Sequence, residues 1–345
     1  MLKEYLDKEL LGKWNVIIDN AEKVLIVGHS KPDGDAVGSM IAMNNYLLSK
    51  NKITMMCVPN SFPNFLEWLP TSDKIRNFDY CPDTIIEFVD ECDLIICLDF
   101  NDWSRVDNMT EMLQKSEKKK ILIDHHTEPF ISANIIISDN KAAATCEIIF
   151  ALMHQLGEYD SMTKATAECL YCGLMTDTGS FEFNSTRSEV FLMVAKLLDK
   201  GIDKDVIYRK VYHNFTIDRI RLMGYLMNEK LVYLEKQHTA FYTLTDEEMT
   251  RFHYYKGCTE GVVNIPQQIK GLKLSISMRE DKEKGKIYVS LRSVDDLSCA
   301  DIAARFFNGG GHVNAAGGTL YCSMDEAVKI VYQAVEYYKD ELEKV

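Results

Sequence analysis

Lys120-Ile-Leu-Ile-Asp124-His125-His126 is a short apolar run that stops at an acid and two consecutive imidazoles. Ile121 to Ile123 reads as a buried strand. Its end reads as a site, because three side chains with metal-binding or proton-transfer chemistry seldom follow a core strand by chance. The same arrangement occurs twice upstream. Val24-Leu-Ile-Val27 leads into Gly28-His29 and then Asp33-Gly-Asp35, and Leu94-Ile-Ile-Cys-Leu98 leads into Asp99. In an open parallel sheet, ligands bind beyond the carboxyl ends of the strands. If the three strands are neighbours, their ends converge on one crevice.

Outward from these runs, strands alternate with helices as far as about residue 143, and the pattern is then mainly helical to about residue 229. From about 230 the texture turns to strands, with a hairpin whose arms are Leu272–Met278 and Lys286–Arg292. Thr245-Asp-Glu-Glu248 and Ser323-Met-Asp-Glu326 are capping boxes that open helices. The expected fold class is α/β: a parallel-sheet domain over residues 1–190, a helical connector over 191–229, and a smaller α+β domain over 230–345. The active site is expected in the cleft between the domains. Residues 1–22 are expected as one helix with Leu2, Leu6, Leu10 and Trp14 on a stripe. Gly34, Ala36 and Gly38 suit a tight strand-to-helix turn. Lys118 to Lys120 reads as a solvated helix end.

The chain has 345 residues and a net charge of −13. That balance lacks the basic footprint of a protein that binds long nucleic acid, and no duplex partner is expected. No apolar run reaches the ~20 residues that span a bilayer, and the charged N-terminus lacks a signal peptide's apolar centre. These readings make the expected setting cytoplasmic, with no membrane partner. Ten cysteines are scattered without a framework, as reduced core thiols would be. Cys169-Leu-Tyr-Cys172 has redox-motif spacing but falls in a helical pattern, as two core-facing positions.

Taken singly, the polar residues have plain readings. Asp33 and Asp35 beside Pro32 and Gly34 make a turn, Asp99 caps one, and a His-His pair sits at a surface. The coincidence of three strand ends carrying the same chemistry favours a shared site. Asp177, in Leu174-Met-Thr-Asp177, joins His29, Asp33, Asp35, Asp99, Asp124 and His125 as a candidate. So many carboxylates in one cleft would resist joint ionisation, and divalent cations remove that penalty. Mixed Asp and His ligation suits Mn²⁺ better than Mg²⁺, though Mg²⁺ stays open. Asp99 is the candidate bridge between two ions, because it stands alone at a strand end between the other groups. The reaction class is metal-assisted hydrolysis of a phosphoester or phosphoanhydride, with His126 acting on the substrate phosphate. Gly309-Gly310-Gly311-His312 offers backbone N–H groups to an anion, or is simply a turn. Arg292 in Ser290-Leu-Arg292-Ser293 offers a guanidinium, or is a surface residue on the hairpin. No glycine-rich loop ends in Lys-Ser or Lys-Thr, which excludes a P-loop.

The set His29-Ser-Lys-Pro-Asp-Gly-Asp-Ala-Val-Gly-Ser39, Asp99, Asp124-His-His126, Asp177, Gly309-Gly-Gly-His312 and Asn314-Ala-Ala-Gly317 resembles the DHH phosphoesterase superfamily with a DHH-associated C-terminal domain. Length and layout look most like its nanoRNase and pAp-phosphatase branch. The resemblance implies one Mn²⁺ on His29, Asp33 and Asp99, and a second on Asp35, Asp99, His125 and Asp177. It implies that Asp124 supports the cluster, that His126 faces the scissile phosphate, and that Arg292 and the Gly309–His312 loop bind the substrate's far end. It also implies a substrate among short oligonucleotides, dinucleotides and 3′-phosphoadenosine 5′-phosphate (pAp), and a possible homodimer. The competing readings are an exopolyphosphatase or pyrophosphatase acting on phosphoanhydrides, a RecJ-type single-strand exonuclease, and a nucleotide-sensing protein without catalysis.

Overall fold

The structure, a computed structural model, describes residues 2–255 and 257–344. Met1, expected in the first helix, and Val345, expected to end the second domain, lie outside the described residues. The chain divides into two compact units, Met1–Asn214 and Phe215–Val345. The stretch 191–229, expected as a connector, is split by that boundary.

In the first unit, strands β1 (Lys23–Val27), β2 (Ile53–Val58), β3 (Arg76–Asn77), β4 (Leu94–Leu98), β5 (Lys119–Asp124) and β6 (Ile135–Ser138) form one sheet in the order β3-β2-β1-β4-β5-β6. All neighbouring pairs are parallel. The order reverses between β1 and β4, the switch point at which such sheets bind ligands. Alternate strand residues feed two cores. Val24, Ile26, Leu94, Ile96, Ile121 and Ile123 enter one, and Leu25, Val27, Ile95, Cys97 and Leu122 enter the other. Burial on both faces explains why these strands read as unbroken apolar runs rather than as alternation. Lys118 to Lys120 is not a helix end, for β5 already begins at Lys119.

The helices of this unit are α1 (Lys8–Asn20), α2 (Gly34–Ser49), α3 (Pro82–Glu91), α4 (Thr110–Lys115), α5 (Thr145–Gln155), α6 (Lys164–Asp177), α7 (Ser188–Asp199) and α8 (Lys204–Tyr212). The first helix begins at Lys8, later than expected, because the Asp7 carboxylate accepts the Leu10 N–H at 2.8 Å and caps it there. The preceding residues form an arm whose Tyr5 and Leu6 N–H groups both donate to Gln155 Oε1 at 3.1 Å. Gly34 and Gly38 serve a helix crossing rather than the turn expected of them. A Cβ on Gly34 would stand 2.2 Å from Thr176 Oγ1, and one on Gly38 would stand 2.5 Å from the Cys169 carbonyl. These absences of side chain let α2 and α6 touch, which brings the start of one to the end of the other. Cys169 and Cys172 are free, buried positions of α6.

The second unit holds α9 (Ile217–Tyr225), α10 (Asp246–Arg251), α11 (Cys299–Phe306) and α12 (Met324–Tyr337). Its strands are β7 (Val232–Leu234), β8 (Thr239–Leu244), β9 (Leu274–Asp281), β10 (Lys286–Ser293), β11 (Gly310–Gly311) and β12 (Ala315–Leu320). The sheet order is β11-β12-β10-β9-β8-β7, antiparallel except for the parallel β8/β9 pair. Both expected capping boxes form, at α10 and α12. The glycine cluster is not an open loop: Gly310 and Gly311 pair with Gly317 and Ala316. No helix among the described residues is long and apolar enough to cross a membrane.

Candidate active site

Because β1, β4 and β5 are adjacent, the residues following them meet at one edge of the first sheet. His29 follows β1 and is buried. Its Nδ1 lies 2.8 Å from the Ser30 carbonyl, so in the neutral ring that nitrogen keeps the proton and Nε2 is the one left for a cation. Nε2 faces Asp99 Oδ2 at 3.3 Å and Asp33 Oδ1 at 3.8 Å. Asp33 caps α2, its Oδ1 accepting the Asp35 and Ala36 N–H groups at 3.0 and 3.1 Å. His125 is held the same way, with Nδ1 3.3 Å from the Ala142 carbonyl. Its Nε2 faces Asp177 Oδ2 at 3.4 Å, Asp99 Oδ1 at 3.5 Å and Asp35 Oδ2 at 3.9 Å.

Asp99 is the centre of the arrangement. Its two oxygens look different ways, Oδ2 to His29 and Oδ1 to His125. Its φ of +66° is left-handed, a conformation that costs a non-glycine residue about 1–3 kcal/mol and is held here by its surroundings. The Asp99 N–H donates to Ile123 at 3.0 Å, which ties the turn to β5. Asp35 is fully buried and accepts the first N–H groups of α5, from Thr145 at 2.6 Å and Cys146 at 2.8 Å. That helix end carries partial positive charge and suits a carboxylate. Asp177 ends α6, where a carboxylate is disfavoured by the same dipole. Asp124 is fully buried; its Oδ1 accepts a hydrogen bond from His126 Nδ1 at 2.7 Å and its Oδ2 from the His126 N–H at 3.0 Å.

Thr145 escaped the sequence reading. It is buried, donates its hydroxyl to Asp99 Oδ1 at 2.9 Å and gives its N–H to Asp35. A threonine opening a helix pattern just after Ala142-Ala-Ala144 is the signal that could have found it.

The electrostatics show crowding. Burial raises the carboxyl groups of Asp35 and Asp177, the neighbouring acids add to it, and Asp177 is pushed up to about 7. Burial opposes charge on His29 and His125, yet the surrounding aspartates override it, taking His125 up to about 9 and His29 well above its ordinary value. The adjacent His29 holds buried Asp99 and the half-exposed Asp33 below the usual range. The structure thus gathers oxygen and imidazole donors whose mutual repulsion a cation would relieve. His29, Asp33 and Asp99 each offer an atom within 4.8 Å of the others, as do Asp35, His125 and Asp177, and Asp99, His125 and His126. These donor sets fit divalent cations.

In the second unit, Arg292 lies on β10, opposite Ser275 and Ala315. It is half-buried, and burial lowers its affinity for a proton. Its Nη1 donates to the Leu291 carbonyl at 2.9 Å, and no carboxylate stands within ion-pair distance among the described residues. A Cβ on Gly309 would fall 1.9 Å from the Gly317 carbonyl, whereas one on Gly310 meets nothing within 4 Å. His312 is exposed and closes the β11–β12 turn through its N–H to Ala315 at 2.8 Å.

Residues 23–174 match the model of the DHH family N-terminal domain, and residues 252–337 match that of the DHHA1 domain. The probable bifunctional oligoribonuclease and PAP phosphatase NrnA of Streptococcus mutans is 26% identical over 302 residues, 87% of this chain and 90% of that protein. The bifunctional oligoribonuclease and PAP phosphatase NrnA of Thermus thermophilus is 27% identical over 317 residues, 90% of this chain and 89% of that protein. The crystal structure of an exopolyphosphatase-related protein from Bacteroides fragilis is 43% identical, covers 99% of this chain and all of its own, and superposes with a TM-score of 0.96. The chain therefore belongs to the DHH family, as a phosphoester hydrolase with a DHHA1 domain in its second unit.

Proposed function

We propose that the chain hydrolyses very short oligoribonucleotides, dinucleotides and pAp with two Mn²⁺ ions. His29, Asp33 and Asp99 hold one ion, and Asp35, Asp99, His125 and Asp177 hold the other. The observation that carries this reading is the divided outlook of Asp99, whose Oδ2 stands 3.3 Å from His29 Nε2 while Oδ1 stands 3.5 Å from His125 Nε2. A carboxylate so placed would be shared by both donor sets. Ions held there would supply an activated water at neutral pH and neutralise the charge that builds on the phosphoryl oxygens.

The chain's own residues do the rest. Thr145 and the α5 N–H groups fix Asp99 and Asp35 so that their outward lone pairs stay aimed. The Ser30 and Ala142 carbonyls fix the tautomers of His29 and His125. Asp124 accepts the hydrogen bond of His126 Nδ1, orienting its Nε2 toward a phosphate oxygen or leaving group. Arg292, a half-buried cation lacking a carboxylate, takes a second phosphate of the substrate, and the Gly309–His312 turn approaches it. The similarity to the NrnA proteins supports nucleotide substrates.

A second reading, hydrolysis of phosphoanhydrides, rests on the 43% identity to a protein described as exopolyphosphatase-related. Incubating the purified chain with Mn²⁺ and pAp, pApA, cyclic di-AMP, pyrophosphate or polyphosphate separates the two. Turnover of pAp and pApA is expected. Turnover of polyphosphate alone hands the case to the second reading, and turnover of none ends both.

A further inference from the structure

Away from the aspartate cluster, the first unit has a cavity of about 350 Å³ lined by Trp68, Arg209, Lys210 and His213 together with Asn64, Val206 and Asn214. Its chemistry is one-sided. The Trp68 indole N–H is buried without an acceptor among the described residues. Lys210 Nζ stands 4.3 Å from the centre of the Trp68 ring. An indole, a guanidinium and an ammonium have only donors to offer. Arg209, Lys210 and His213 form no ion pair among the described residues, and the adjacent Asp205 is engaged by Lys204 at 2.6 Å. In a chain of net charge −13, these cations have among the described residues only the field of Asp205, which Lys204 already engages.

The cavity also has an address. Trp68 belongs to the loop after β2, the strand beside β1. That loop is fastened to the turn after His29: Asn60 Oδ1 accepts the Lys31 N–H at 2.6 Å, and Asn60 Nδ2 donates to Ser30 Oγ at 3.3 Å. The loop that carries Trp68 thus starts at the turn that carries His29.

We propose that this cavity binds a phosphate group of a nucleotide unit lying beyond the one being hydrolysed, so that Arg209 and Lys210 extend substrate recognition past the scissile bond. The proposal rests on the nucleotide-hydrolase reading for the identity of the phosphate's owner. The alternative source of the same chemistry is the phosphate of a free mononucleotide.

The test compares the full chain, in Mn²⁺, with the double variant Arg209→Ala/Lys210→Ala. Both side chains are exposed, so the fold is kept. KM for pApApApA is expected to rise about tenfold at unchanged kcat, as for the loss of charged phosphate contacts, while KM for pAp stays. The salt dependence of the tetramer's KM is expected to flatten by roughly one unit of log–log slope. A tetramer KM that does not move overturns the proposal and leaves two cations that merely complement the carbonyl end of α8. Titration with AMP, followed through Trp68 fluorescence with Trp68→Phe as blank, separates the sources. An AMP signal that the double variant loses assigns the cavity to a free nucleotide's phosphate; loss confined to the tetramer assigns it to the distal phosphodiester. Failure of the underlying reading looks different: the unaltered chain turns over neither nucleotide, and the AMP titration alone then decides the cavity, a missing signal overturning it.

Discussion

At the edge where β1, β4 and β5 end, carboxylates and imidazoles crowd within 4 Å of one another, while on β10 Arg292 is half-buried with no carboxylate within ion-pair distance among the described residues. Both regions bury charge, and burial penalises charge unless it is compensated. They differ in what is missing. The first has an excess of acid that the histidines only partly offset, so it calls for cations. The second has a lone cation, so it calls for an anion. Each region can be broken without the other.

The largest effect is expected at Asp99, the proposed shared ligand. Asp99→Asn keeps the shape but removes the charge between the two histidines. It should lower kcat/KM with Mn²⁺ on the order of 10³-fold or more and reduce bound metal to at most one ion, read by elemental analysis. Unaltered activity would show that Asp99 does not bridge.

Acidity should act on the same edge and spare the other. With Asp177 at about 7 and His125 at about 9, the metal-free site carries protons on both near neutral pH. Cations bind the ionised carboxylate and the neutral imidazole, so binding must expel those protons. Apparent Mn²⁺ affinity should therefore rise with pH, on the order of tenfold per unit for each proton expelled. Calorimetry at about pH 6.5 and pH 8.5, in buffers of different ionisation enthalpy, measures both the affinity and the protons. An affinity that falls with pH would refute the assignment.

Asp124→Asn tests orientation rather than ligation, because Asp124 reaches the site through His126. A loss of roughly 10–100-fold in kcat is expected with the metal count unchanged. Arg292→Ala should do the converse, raising KM for pAp or a dinucleotide about tenfold with kcat and bound metal nearly intact. If Arg292→Ala released metal, the division of labour between the regions would be wrong.

How much of this was readable in the chain follows from the same division. The three strands were legible because β1, β4 and β5 are buried on both faces and stand out as apolar runs. Their carboxyl-end residues were legible because acid and imidazole chemistry there has few structural uses. The adjacency of the strands was only an assumption, since register and order lie between segments and not within them. The roles of Gly34 and Gly38 were invisible for that reason: a close approach to Thr176 and Cys169 needs knowledge of α6. The helix α8 lies inside the stretch read as mainly helical, and its buried residues Ile207 and Val211 make only a weak stripe from which to set its bounds. Thr145 was missed because its partner acids lie 46 and 110 residues away in sequence. The pairing of Gly310 and Gly311 with β12 was not legible because consecutive glycines give no pattern of pairing.

That turn supplies the smallest effect and the sharpest division. Gly309 is packed so closely that a Cβ would overlap the Gly317 carbonyl at 1.9 Å, while Gly310 has open space at its Cβ position and no positive φ. Gly309→Ala should therefore cost about 1–3 kcal/mol as forced overpacking between β11 and β12, seen as a lower melting temperature. Gly310→Ala should leave the melting temperature alone. If the backbone at Gly310 approaches a substrate phosphate, the added methyl also raises KM several-fold, because an anion cannot then come as close to the N–H groups. If KM stays as it was, the glycines are there for the strands and Arg292 binds its anion without them. The two alanines thus separate close packing from close approach within one dipeptide, on a background whose metal edge is untouched.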